Sequence, residues 1–136
     1  MTILGISAFY HDSAAAIIQD GKVIAAAQEE RFTRIKHDPD FPVNAVKFCL
    51  KYSGVSINDV DAIAFYDKPL LKFERLLETY YGFAPKGLVS FIKSMPVWIK
   101  EKMFLKRVIN EELEKIEGYD RNKATFLFPE HHLSHA

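Results

Sequence analysis

Residues 3–28, ILGISAFYHDSAAAIIQDGKVIAAAQ, decide the fold. Ile3 to Ser7 is a short apolar run of strand length, followed by the polar interruption Tyr10, His11, Asp12. Ser13 to Gln19 and Lys22 to Gln28 read as two further strands, and Asp20-Gly21 between them is the strongest short-range signal for a two-residue β-hairpin. Alanine crowds these strands at 14–16 and 25–27. It is a poor strand former, but its small size suits a sheet closely covered by a helix.

Further along, the polar run Glu29 to Asp38 passes through Pro39 and Pro42 to AVKFCLKYSG. Apolar residues there fall at 45, 46, 49 and 50, and Gly54 is a stop, so a short amphipathic helix is expected. Ile57 to Val60 leads into a buried strand over Ala62 to Tyr66. Strand, hairpin, helix and strand in that order describe an α/β layer built on a mixed sheet. From Pro69 to Ile116 the pattern turns helical and aromatic, which predicts a helical insertion over about 69–120. A helix lying on a membrane surface is the weaker reading of the same residues. Ala124 to Phe128 restores a strand, and Pro129 turns the chain.

Composition sets limits on function. Of 136 residues, 49% are hydrophobic and 26% charged, enough for one domain with a core. Eighteen basic side chains balance eighteen acidic ones, which excludes a surface built throughout for nucleic acid. Residues 68–107 hold nine basic and three acidic side chains. A solvated helical face explains that block more simply than a phosphate partner. Cys49 is the single cysteine, so no intrachain disulfide forms, and its apolar neighbours mark it as a core thiol of a reducing compartment. The start MTILGIS lacks a secretory signal, and no run approaches the ~20 apolar residues of a membrane span, so a cytoplasmic protein is expected.

Three groups of residues could carry chemistry. In PEHHLSHA, residues 129–136, a helical conformation sets His131 and His135 one turn apart, as two ligands of a single ion. A surface or subunit-contact cluster explains the spacing equally well. His132 points away from His131 and suits a substrate contact better than a metal. His11-Asp12-Ser13 lies between neighbouring strands, where open α/β sheets present their crevice. There His11 can act as a general base with its second nitrogen fixed by Asp12, unless Asp12 and Ser13 serve only to bond backbone amides in a turn. Arg31, Arg34, Lys36 and His37 form a basic run suited to phosphate or a polar acceptor, or to solvent alone. Neither a Walker-type phosphate loop nor a Gly-x-Gly-x-x-Gly fingerprint occurs.

Together, ILGISAFYHDSAAAI, QEERFTRIKHDPDFP, FYDKPLLKFERLLETY and FPEHHLSHA closely resemble the beginning of O-carbamoyltransferases of the nodulation-factor and antibiotic-tailoring family. The resemblance spans essentially the whole chain. It implies a partial actin-like ATPase-type, ribonuclease H-like mixed sheet with a helical insertion. It also implies that a YrdC-like domain beyond residue 136 makes carbamoyl-adenylate from carbamoyl phosphate and ATP. The actin-like domain then passes the carbamoyl group to the hydroxyl of a small acceptor, a sugar or an antibiotic-like molecule, aided by a divalent metal, Fe2+ by family habit. On this resemblance His131 and His135 match metal ligands, His11 the acceptor base, and Lys36 a position near the acceptor. A further aspartate ligand belongs downstream, so the 136 residues alone are expected to be inactive. Two other readings stay open. One is a non-catalytic subunit or homo-oligomer docking onto a separately encoded partner, and the other is a sugar- or acetate-kinase-like phosphotransferase. Neither nucleic acid nor membrane is an expected partner.

Overall fold

The computed structural model describes residues 1–66 and 97–129, with the side chains of 97–102 left aside. The basic aromatic stretch 67–96 and the histidine-bearing tail 130–136 lie outside the described residues. Two compact units divide the chain: Met1–Asp67 with Ile109–Ala136, and Lys68–Val108.

In the first unit, strands β1 (Thr2–Ser7), β2 (Ala14–Gln19) and β3 (Lys22–Gln28) form an antiparallel meander. Asp20 and Gly21 both adopt positive φ, 48° and 78°, the backbone of the tight hairpin turn that this dipeptide favours. The register shifts between Ile17 and Ile18, leaving one extra residue on β3. The chain then makes a one-turn helix α1 (Glu30–Thr33) and the helix α2 (Val43–Ser53). Gly54 ends α2 in the left-handed conformation, φ 70°, with its N–H facing the carbonyls of Leu50 and Lys51. A 3-10 turn (Ile57–Asp59) leads into β4 (Ala62–Phe65), and a two-residue β5 (Phe126–Leu127) closes the sheet.

The sheet order is β3-β2-β1-β4-β5, with β1, β4 and β5 parallel. The fold is thus α/β on a five-stranded mixed sheet. Helix α2 packs on β2 and β3. Its buried face, Ala45, Val46, Cys49 and Leu50, meets the alanine-rich hairpin, and the Cys49 thiol lies 3.5 Å from the Ala15 carbonyl. Small residues on the strands allow this close approach. Leu4, Ile17 and Ile63 are fully buried on the sheet, and Ile109, Leu113 and Ile116 add apolar surface from the later segment. Roughly 25 cal/mol per Å² of apolar surface buried is the term that holds such a layer together.

The other unit contributes the described residues 97–108, the first part of helix α3 (Val97–Leu113). Helix was expected there. No helix among the described residues is long and apolar enough to cross a membrane.

Candidate active site

Strand direction determines where the loops gather. Because β1, β3, β4 and β5 all run the same way, their carboxyl ends share one edge of the sheet. The loop Ala8–Ser13 follows β1 at that edge, the segment 29–42 follows β3, and Phe128-Pro129 follows β5. This is the edge at which open α/β sheets bind ligands.

Backbone hydrogen bonds join the first two loops. Phe9 N–H donates to the Pro39 carbonyl at 2.7 Å, Ser13 N–H to Asp38 at 2.9 Å, and Glu29 N–H to Ser13 at 2.8 Å. Among the described residues, four of the five non-glycine residues with positive φ lie in these loops: Phe9, Asp12, Arg34 and His37. Such conformations are costly and concentrate at functional sites.

Asp12 sits between two imidazoles. Its Oδ2 is 2.7 Å from His11 Nδ1, and its Oδ1 is 2.7 Å from His37 Nδ1. Asp12 therefore does fix the second nitrogen of His11 rather than merely bonding backbone amides. The hydrogen bond from His37, followed by that from His11, holds its carboxyl below the ordinary 3.8, with partial burial opposing. The Tyr10 ring lies 4.4 Å from the His11 ring, centroid to centroid. Lys36 is exposed in the turn just before His37, and Arg31 and Arg34 are exposed on and after α1. His131, His132 and His135 lie outside the described residues.

Two buried carboxylates underpin the loops. Glu29, 3% exposed, accepts from Asn44 N–H (3.1 Å), Asn44 Nδ2 (2.7 Å) and Ala45 N–H (2.8 Å), so it caps the N-terminus of α2 from the end of β3. Asp38, 1% exposed, accepts from Thr33 Oγ1 at 2.7 Å and Asp40 N–H at 3.0 Å. The Ser13 hydroxyl is buried and has no hydrogen-bond partner among the described residues. Sequence reasoning singled out neither carboxylate and did not pair His37 with Asp12. Glu29 lies 15 and 16 residues from its partners and His37 lies 25 from Asp12, while Asp38 bonds Thr33 and Asp40 nearby, and no short motif announces any of these contacts.

Among the described residues no group of three or more His, Cys, Asp or Glu side chains could hold a metal ion. An open hollow of about 750 Å³, lined by Lys47, Lys51, Gly54 and Lys115 among others, lies beside the C-terminal end of α2, away from the histidine loops.

A family model described as carbamoyltransferase N-terminus matches residues 2–136. The uncharacterized protein sll1178 of Synechocystis sp. is 54% identical over 135 residues, which make up 98% of this chain and 22% of that protein. The nodulation protein NolNO of Sinorhizobium fredii is 34% identical over 128 residues, 94% of this chain and 17% of that protein. This chain therefore spans about a fifth of the length of these two relatives.

Proposed function

This chain belongs to the carbamoyltransferase N-terminal family, and on that footing we propose that its loop-bearing sheet edge supplies part of the site where a carbamoyl group passes to an acceptor hydroxyl. The observation that carries this reading is the shared edge. His11 follows β1, Lys36 follows β3, and the chain leaves β5 for the histidine tail at the same edge. From β1 to β5 is two strand spacings, roughly 10 Å. A tail starting there is within reach of His11.

The sheet order, with β2 alone antiparallel, supports an actin-like, ribonuclease H-like domain whose remainder belongs to a longer protein. In that protein the activated donor is carbamoyl-adenylate, made from carbamoyl phosphate and ATP by a separate domain. The acceptor is a small hydroxyl compound of the sugar or antibiotic-like class.

His11 acts as general base. Asp12 takes the hydrogen on Nδ1, so a neutral His11 presents the lone pair of Nε2. As the acceptor oxygen attacks the carbamoyl carbon, its proton passes to Nε2, the new C–O bond forms, and the bond to the adenylate oxygen breaks with AMP as leaving group. Lys36 and His132 contact the acceptor. His131 and His135, with a further ligand elsewhere, would hold a divalent ion, Fe2+ by the resemblance, which would supply Lewis acidity when bound.

The test is a turnover assay on the full-length protein with radiolabelled carbamoyl phosphate, ATP, and a hexosamine and an aminoglycoside as acceptor probes. Labelled O-carbamoyl product is expected from wild type, with a loss of roughly 100-fold or more in His11→Asn. Undiminished transfer by that variant removes His11 from the mechanism.

A further inference from the structure

Building on His11 as the base, we infer that His37 is a positioning residue that fixes His11 through Asp12. A carboxylate can only accept, so both imidazoles turn an Nδ1–H toward Asp12, His11 at 2.7 Å from Oδ2 and His37 at 2.7 Å from Oδ1. With one histidine alone, the half-exposed carboxylate could rotate about its own side-chain torsions and release the ring. Engaging both oxygens from two different loops stops that rotation.

His37 is itself held. Its backbone N–H donates to Glu30 Oε2 at 3.2 Å, and its loop is joined to the His11 loop by the Phe9–Pro39 and Ser13–Asp38 backbone bonds. Stability does not account for the arrangement. The side chains of His11 and His37 are 55% and 60% exposed, and exposed ion pairs contribute little. Yet Asp12 and His37 both adopt the left-handed backbone, φ 52° and 55°, which non-glycine residues take up uncommonly, aspartate and histidine more readily than most. The fold places two uncommon backbone conformations around a contact that adds little stability. Orienting the His11 ring is what the contact does accomplish.

The test reads the tautomer of His11 directly. Two-bond 1H–15N correlation spectra are recorded on full-length protein labelled with 15N-histidine, at a pH where imidazoles are neutral. Wild type is expected to show His11 in the Nδ1–H form. His37→Ala should let the Nε2–H form appear. His37→Asn should keep the wild-type pattern, because its amide N–H can stand near the lost Nδ1–H and asparagine tolerates positive φ. His37→Gly replaces alanine, with the same expectation, should alanine unsettle the turn. In the transfer assay His37→Ala should lower kcat roughly 10-fold with KM for carbamoyl phosphate unchanged, and His37→Asn should restore most of it. An unchanged His11 tautomer in both His37→Ala and His37→Gly overturns the proposal. Full transfer by His11→Asn, with the tautomer still moving in His37→Ala, upholds the positioning and overturns only the base.

Discussion

At the scale of single residues, the charge on Asp12 governs how the two histidine loops respond to acid. Its carboxyl is depressed below 3.8 by the His37 and His11 hydrogen bonds. A depressed carboxyl contributes stability that is present above its unfolded value and lost as pH falls through the lower folded one. The urea midpoint difference between wild type and Asp12→Asn, small because the contact is largely exposed, is therefore expected to hold at pH 5 and to shrink below about 3.8; a difference that grew on acidification would reverse the sign assigned here. Ser13 offers a second check. Its buried hydroxyl has no partner among the described residues, so Ser13→Ala should stay within about 0.5 kcal/mol of wild type or stabilise, whereas a loss beyond about 1 kcal/mol would reveal a bond. The His11–Asp12 contact was one of two readings the sequence left open, the other being a turn in which Asp12 bonds only backbone amides, and the folded loop is what brings Nδ1 of His11 to the Asp12 carboxylate. His37 was not legible as a partner, being 25 residues away and reached only once the hairpin and α1 bring its loop back.

Among the elements, the hairpin and α2 follow from local chemistry, and their ends show why. Asp20-Gly21 supplies two positive-φ residues where the turn needs them, and Gly54 supplies the left-handed stop. These signals lie within a few residues of what they specify. The start of α2 is different. Pro42 precedes it without a side-chain cap, and Glu29, from the end of β3, bonds the first amides instead. Glu29→Ala should cost about 2 kcal/mol, read by urea or thermal unfolding, because three donors, the buried Ala45 N–H among them, lose their acceptor and the helix loses an anion at its positive end. A cost below about 0.5 kcal/mol would show that water or a neighbour replaces the cap. Helix α1 was not anticipated, since four residues are too few to display a helical period. The expected strand 124–128 narrows to Phe126–Leu127, which is all that pairs with β4.

For the molecule as a whole, topology brings loops from distant parts of the sequence to one edge of the sheet. Four of the five strands point their carboxyl ends the same way, and every chemical signal picked out in the sequence attaches to one of those ends. Hydrophobic runs and turn residues revealed the strands and the β1–β2 and β2–β3 neighbours, but not that β4 would pair with β1 and β5 with β4, because those pairings depend on long-range packing that no local pattern encodes. The family match places the chain in the carbamoyltransferase N-terminal family, and the shared edge is where the proposed transfer would be located. The most direct measurement is paramagnetic broadening. Mn2+ is bound to the metal-stripped full-length protein, and the ring-proton line of His11 is followed by NMR, with His131→Ala/His135→Ala as control. We expect the line to broaden beyond detection and to return in the control. A sharp His11 line with Mn2+ stoichiometrically bound through His131 and His135 would contradict a single site at this edge.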